Sequence, residues 1–274
     1  MIQLQYELPA ALQQEGRRFW ILEEPQFEFN SDAIMPDSHT ELVINCGAPM
    51  DVVADDGSRT RTPDAFLNRL LQKPIRLYAL DMPQFVTVRL YPWVARMFID
   101  PQIDLSSGSN IISLNHFWQQ AAKTVSHVFH QRGHDEAVAY LTQALLDTPR
   151  QKADLTAIHA AGERLYEARG HLRIGDLAAD SYLSVSQFER RFKHLTGVSA
   201  KTYARLVRFE AIRDYLWMYP TIRMADVVND FGFTDQAHLI HEFKALTAST
   251  PGEYAAFIQR HSAIIKHAQN LQYT

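Results

Sequence analysis

A chain of 274 residues with 27 Lys and Arg against 31 Asp and Glu carries a net charge of −4, which argues against indiscriminate electrostatic binding to nucleic acid. Its 46% hydrophobic and 21% charged residues are ordinary globular composition, in a chain long enough for two domains. No run of about 18 apolar residues reads as a membrane span, and the opening MIQLQYELPAALQQEG lacks the basic and apolar regions of a secretory signal, so a cytoplasmic protein with no membrane partner is expected.

The first hundred residues read as strands. Phe19 to Leu22, Phe27 to Phe29, Glu41 to Asn45, Ile75 to Leu80 and Phe85 to Tyr91 are short aromatic and β-branched runs, separated by turn formers such as Pro25, Pro36-Asp37, Gly47, Asp56-Gly57, Pro74 and Pro83. Antiparallel strands that must hide both faces imply a small barrel or sandwich. Alternation puts Leu42 and Ile44 on one face against Glu41, Val43 and Asn45, and Val86, Val88 and Leu90 against Phe85, Thr87, Arg89 and Tyr91. Glu41, Asn45, Arg89 and Tyr91 mix charge with aromatic surface, as a small polar ligand requires, and the barrel interior is the expected pocket. The alternative is a barrel filled by its own side chains that serves dimerisation or contact with another protein. Cys46, the one cysteine, has no internal disulfide partner and reads as a structural thiol at a buried strand end.

From Leu114 to Leu146 the pattern is helical. Phe117, Ala121, Val125, Val128 and Phe129 keep helical spacing, Gly133 interrupts, and Glu136 to Leu146 forms a second apolar stripe. His127, His130 and His134 share a face, but no further Cys, Asp or Glu completes a zinc geometry. His39 with Glu41 lacks the later histidine of a barrel metal motif, so no metal is expected. Polar residues around Pro149, from Asp147 to Lys152, mark a linker. The expected division is residues 1–149, β-rich over 1–105 and helical over 106–149, then 150–260 for a second domain and 261–274 for a tail.

The second domain contains an internal repeat. IGDLAADSYLSVSQFERRFKHLTG, Ile174 to Gly197, recurs as MADVVNDFGFTDQAHLIHEFKALTA, Met224 to Ala248, with one extra residue in the turn. Each copy has a short helix burying Leu177-Ala178 or Val227-Val228, a turn, an N-cap at Ser184 or Asp235, and a second helix with an apolar stripe of Phe188, Phe192 and Leu195 or Leu239, Phe243 and Leu246. The opposite faces carry Ser186, Gln187, Glu189, Arg190 and Lys193 in the first copy, and Gln236, Ala237, Ile240, His241 and Lys244 in the second. These are the expected DNA-reading residues. Between the copies Ala200 to Met218 reads as one helix of about 29 Å at about 1.5 Å per residue, comparable to the ~34 Å repeat of B-DNA. Residues 1–149 hold eleven Lys and Arg against eighteen Asp and Glu, and residues 150–260 hold fifteen against thirteen, so the basic balance lies with the repeat, where Arg190, Arg191 and Lys193 cluster and Lys201, Arg205, Arg208 and Arg213 line the connector.

The two copies and their connecting helix resemble the DNA-binding domain of the AraC/XylS family of transcriptional regulators. The match runs from about Asp154 to Phe257, on Leu177-Ala178, Ser184, Phe188, Arg190, Phe192-Lys193, Gly197, Tyr203, Arg208 and Ala211, then Gly232-Phe233, Gln236, Phe243-Lys244, Pro251 and Tyr254. Ala200, Ala248 and His241 depart from the proline, glycine and arginine usual there. The resemblance implies a cupin-like N-terminal domain, so that the whole reads as an α+β protein with an N-terminal barrel or sandwich, following helices and an all-α tandem helix-turn-helix. It also implies that the helices after the barrel mediate dimerisation; the alternative is that they pack on the barrel.

No nucleophile elbow, phosphate loop or dinucleotide fingerprint is present, so neither an enzyme nor a cofactor is expected. The expected partners are double-stranded DNA and, beyond it, RNA polymerase, a small effector and a second copy of the chain. The competing reading is an interaction or scaffold protein that keeps this fold but reads DNA weakly.

Overall fold

The computed structural model describes residues 2–23, 34–53, 57–79, 83–100, 102–106, 108–148 and 156–260. The expected strand at Phe27 to Phe29, most of the expected linker and the tail 261–274 lie outside them. The N-terminal strands are β1 (Ile2–Glu7), β2 (Gly16–Glu23), β3 (Thr40–Asn45), β4 (Met50–Val53), β5 (Arg59–Arg61), β6 (Ala65–Asn68), β7 (Arg76–Ala79), β8 (Gln84–Leu90) and β9 (Ile111–Ser113). They form an antiparallel six-stranded sheet in the order β1-β2-β8-β3-β6-β9 and a three-stranded sheet in the order β5-β4-β7. The two sheets make a sandwich rather than a closed barrel, because β1 and β9 end the larger sheet without pairing with each other.

Strand alternation fixes what each face of the large sheet covers. Phe19, Ile21, Leu42, Ile44, Leu67, Val86, Val88 and Leu90 point into the main core. Leu22, Val43, Phe66 and Phe85 point the other way and, with Met50, Leu71 and Ile75, fill a second core shared with the small sheet. A bulge between Gly16 and Arg18 shifts the register of β2 against β8 by one residue. Gly16 is required there, since a Cβ would collide with the Arg89 carbonyl.

Helices α1 (His116–Arg132) and α2 (His134–Asp147) follow, with Gly133 at φ +92° between them. The Asn115 side chain accepts from the Trp118 amide to start α1. Trp118, Ala122 and Val125 of α1 are buried in the main core, and the helix packs on β3 and β6. Helix α2 packs on α1 and leaves Tyr140 and Leu146 partly exposed. His130 meets the Cys46 carbonyl oxygen at 2.7 Å through Nε2, and His134 lies tilted against Phe129, ring centroids 4.9 Å apart. Cys46 is buried, which pushes its thiol up to about 12.

The C-terminal helices are α3 (Thr156–Glu167), α4 (Ile174–Asp180), α5 (Val185–Thr196), α6 (Ala200–Met218), α7 (Met224–Asp230), α8 (Gln236–Thr247) and α9 (Pro251–Arg260). Their core is continuous with the sheet core. The joint is the 3-10 turn Pro92–Met97 that follows β8. Its Trp93 is buried, stacks on Tyr91 at 4.9 Å and meets Tyr203 of α6 edge-on at 5.9 Å. The Arg96 guanidinium donates to the carbonyl oxygens of His194, at the end of α5, and of Ile103. Gly197, at φ +83°, ends α5 so close to the Leu105 carbonyl that no Cβ would fit.

Gly162 of α3 lies flat against the Trp93 ring, and an added methyl would overlap it. Gly175 of α4 has open space at the same position. Gly162→Ala should therefore destabilise the protein by about 1–3 kcal/mol through overpacking, whereas Gly175→Ala should stabilise it by about 0.5–1 kcal/mol through helix propensity. Urea unfolding of both variants checks this, and equal stabilities would show that the Trp93 joint is not tightly packed.

Candidate nucleic-acid interface and interdomain cleft

The first unit is built as its sequence dictates. Helix α4 buries Leu177 and Ala178, the Leu183 amide donates to the Ala178 carbonyl to close the turn, and Ser184 caps α5. Ser184 and Gln187 form a reciprocal box: the Ser184 hydroxyl oxygen accepts from the Gln187 amide at 3.3 Å, and the Gln187 side-chain oxygen accepts from the Ser184 amide at 3.0 Å. Phe188, Phe192 and Leu195 are buried. Ser186, Gln187, Arg190, Arg191 and Lys193 are exposed on the other side.

Two residues expected on the reading face have structural partners. The Gln187 side-chain oxygen is committed to the cap, and Glu189, half-buried, accepts from the Ala200 amide at 2.8 Å and so caps α6. Helical periodicity alone could not separate these from free side chains. Arg190, Arg191 and Lys193 are the exposed cations of α5.

In the second unit α7 buries Val227 and Val228, Gly232 takes φ +64°, and the Asp235 carboxylate accepts from the His238 amide at 2.8 Å to cap α8. Gln236, Ala237, His241 and Lys244 are exposed and Ile240 is half-buried. Ala248 takes the left-handed position, φ +61°, that Gly197 fills in the first unit. Helix α6 joins the units over 19 residues, capped by Ser199, whose hydroxyl accepts from the Thr202 amide. Its arginines are engaged within the fold. Arg205 pairs with Glu242 of α8 at 2.5 Å, Arg208 donates to the Gly170 carbonyl, and Arg213 lies beside Asp214 at 3.6 Å. Lys201 is the connector cation left exposed among those expected.

A cleft of about 1080 Å³ separates the sandwich from the C-terminal helices. Its floor is the end of the large sheet where the second core stops: Gln5, Arg18, Trp20, Arg89 and Glu41 sit side by side on β1, β2, β8 and β3. Its roof comes from α6 and α9, through Arg213, Trp217 and Tyr254. Of the ligand residues expected from sequence, Glu41 and Arg89 line this cleft. Asn45 instead closes its own turn, donating to the Ala48 carbonyl and accepting from the Gly47 amide. Tyr91 is stacked between Trp93 and His39. The pocket is thus between the two halves and not inside a barrel, because the sheet does not close.

At the inner wall of the cleft a single guanidinium serves three carboxylates. Arg89 donates to Asp37, lies 3.4 Å from Glu210 of α6, and is 3.9 Å from Glu41. Glu210 also accepts from the Ser38 amide and hydroxyl and lies 3.4 Å from His39 Nδ1. Burial disfavours its charge, but His39, Arg89 and Arg213 outweigh that and hold its carboxyl well below the ordinary range. Glu41 is left with the weakest pairing. Burial, then the neighbouring Asp37 charge, push its carboxyl up to about 7 against the opposing effects of Arg89, Trp20 and Arg213.

A helix-turn-helix pair of this form, with two capped second helices on one connecting helix, defines a DNA-binding protein. A family model described as a helix-turn-helix domain matches residues 177–256. The repeat over residues 177–256 is thus an AraC-type helix-turn-helix domain. No curated protein matches the chain. Among solved structures it is similar to ToxT from Vibrio cholerae, at 10% identity over 87% of this chain and 97% of that one, with a TM-score of 0.47. It is also similar to ToxT from Vibrio cholerae O395 bound to (E)-4-(8-methylnaphthalen-1-yl)but-3-enoic acid, at 11% identity over 86% and 97%, with a TM-score of 0.47. The AraC-like transcriptional activator CuxR matches at 16% identity over 72% and 73%, with a TM-score of 0.29.

Glu41 and Glu210 should give opposite pH signatures. A carboxyl raised to about 7 in the fold binds its proton where the unfolded chain has released it, so its contribution to stability falls as pH rises from about 4.5 to 7. Glu41→Gln should therefore raise the melting temperature at pH 8 and leave it nearly unchanged at pH 4.5. Glu210 is held ionised, so its contribution is present above its ordinary range and is lost only on further acidification. Glu210→Gln should lower stability at pH 8 by roughly 3 kcal/mol, as breaking a buried pair does. A Glu41→Gln protein that melts below wild type at pH 8 would contradict the assignment.

Proposed function

We propose that this AraC-type regulator reads a bipartite DNA site with α5 and α8, and that a small ligand in the interdomain cleft controls that reading. The observation that carries the DNA assignment is the pair of capped helices, each with an exposed polar face, held at the ends of one buried 19-residue helix. In the first unit Arg190 is the principal base reader, with Ser186 and Gln187 beside it and Lys193 on phosphate. Arginine can donate two hydrogen bonds to guanine, and such a contact contributes about 1–3 kcal/mol of discrimination. Glu189 acts through its cap on α6 by orienting α5. In the second unit Gln236, Ala237, Ile240, His241 and Lys244 face the groove. With fewer cations there, the second half-site should be the less stringent.

The chain divides functionally as residues 1–149 for sensing and dimerisation, 150–260 for DNA binding and 261–274 as a tail. The exposed sides of α1 and α2, with Phe117, Tyr140 and Leu146, are the surface through which two copies would associate. The protein acts in the cytoplasm without catalysis of its own, and its effect on transcription passes through RNA polymerase. A ligand in the cleft touches both the sheet floor and the α6 and α9 roof, so differential affinity for two docking states would shift the DNA-competent population. Glu41 and Arg89 contact it from the sheet.

Mobility shifts on the DNA upstream of the gene, at moderate salt with competitor, test the first claim. Arg190→Ala should weaken specific binding by about 1–3 kcal/mol, roughly tenfold to a hundredfold, with a smaller loss on non-specific DNA. Wild-type binding by the variant would remove Arg190 from the interface. For the second claim, the full-length protein is screened by thermal shift against a metabolite panel. A hit should change the DNA affinity of wild type and not of Trp217→Ala. Hits that stabilise both proteins equally and leave DNA binding unchanged would end the proposal of control through the cleft.

A further inference from the structure

Tyr182 lies in the turn between α4 and α5, with φ +55° and 97% of its surface exposed. The second unit closes the same turn with the same two bonds. Tyr182 and Leu183 donate to the Ala179 and Ala178 carbonyls, as Gly232 and Phe233 donate to those of Asn229 and Val228. There the left-handed position is a glycine, which adopts φ +64° with no Cβ to penalise. At position 182 the same conformation carries one of the largest side chains. Nothing inside the fold offsets that strain: the ring is solvated, and it has no hydrogen-bond or ring partner among the described residues.

The ring stands at the leading edge of the first recognition helix, next to the exposed Ser184, Val185 and Ser186. A recognition helix enters the major groove by its N-terminal residues, which sets the preceding turn beside the phosphate strand that borders the groove. Tyrosine hydroxyls are among the side-chain donors that proteins use on phosphate. We propose that Tyr182 is a DNA-backbone contact whose hydroxyl donates to a phosphate oxygen flanking the first half-site. The proposal rests on the DNA-reading assignment of α5. A backbone contact is independent of sequence, and a neutral hydroxyl releases no counterion, so the contact contributes affinity without changing salt dependence.

The experiment compares full-length wild type, Tyr182→Gly and Tyr182→Phe by thermal melting and by mobility shift on specific and non-specific DNA at several salt concentrations. Tyr182→Gly should melt above wild type, because glycine relieves the turn, yet bind both DNAs roughly threefold to tenfold more weakly, the loss expected for one hydrogen bond. Tyr182→Phe should melt as wild type and show a similar weakening, with the slope of affinity against salt unchanged. Variants that bind DNA like wild type would overturn the proposal, and if transcription fell all the same the residue would belong to a protein contact. A Tyr182→Gly protein that melts below wild type would also overturn it, by giving the ring a structural role. If wild type itself bound no specific DNA, the assignment of α5 would fail first and take this contact with it.

Discussion

Helix α6 is the constraint on which the other parts depend. It buries Tyr203, Leu206, Val207, Phe209, Ile212 and Leu216, so it packs on most of its circumference and cannot bend without opening the core. Both helix-turn-helix units are built against it. Glu189 caps its start from α5, Phe209 meets Phe243 of α8 at 5.0 Å, and Arg205 ties it to Glu242. The sandwich is fastened to the same helix by Trp93 against Tyr203 and by Glu210 against Ser38, His39 and Arg89. One helix therefore sets the relative positions of the two helix-turn-helix units and of the sandwich.

The two units are attached to the sandwich differently. The first is fixed to it through Arg96 on His194 and Gly197 against Leu105, with Trp93 packed on Gly162 of the preceding α3. The second faces it across the open cleft, with Thr247 and Ser249 at the end of α8 on the cleft wall. In the cleft Asp37, Glu41 and Glu210 share Arg89, and burial pushes the Glu41 carboxyl up to about 7 while Glu210 is held well below the ordinary range. Binding free energy released in the cleft would thus act on the docking of the second unit, while the first stays with the sandwich.

Much of the C-terminal half was legible in the sequence because its determinants are local. The caps at Ser184 and Asp235, the left-handed turn at Gly232, the apolar stripes and the bounds of α6 at Ala200 and Met218 all follow from residues within a few positions of one another. In the sandwich, β2, β3, β7 and β8 were readable from β-branched and aromatic runs. β1, β4, β5, β6 and β9 were not; of these, β5 is the exposed triplet RTR, β6 is a short buried run with no alternation, and β9 is three residues long. Whether a sheet closes depends on which distant strands pair, and the β1 and β9 edges leave it open. The floor of the cleft was half legible, through Glu41 and Arg89. Its roof of Arg213, Trp217 and Tyr254 was not, because no sequence pattern records how layers distant in the chain dock.

Hydroxyl-radical footprinting of the full-length protein on its binding site tests most directly the claim that α5 and α8 read DNA from the two ends of one rigid helix. A connector of about 29 Å against a helical repeat of ~34 Å requires two protected patches on the same face of the duplex, centred about one turn apart. Arg190→Ala should weaken protection of one patch first. A single patch in wild type, or two on opposite faces, would contradict the account.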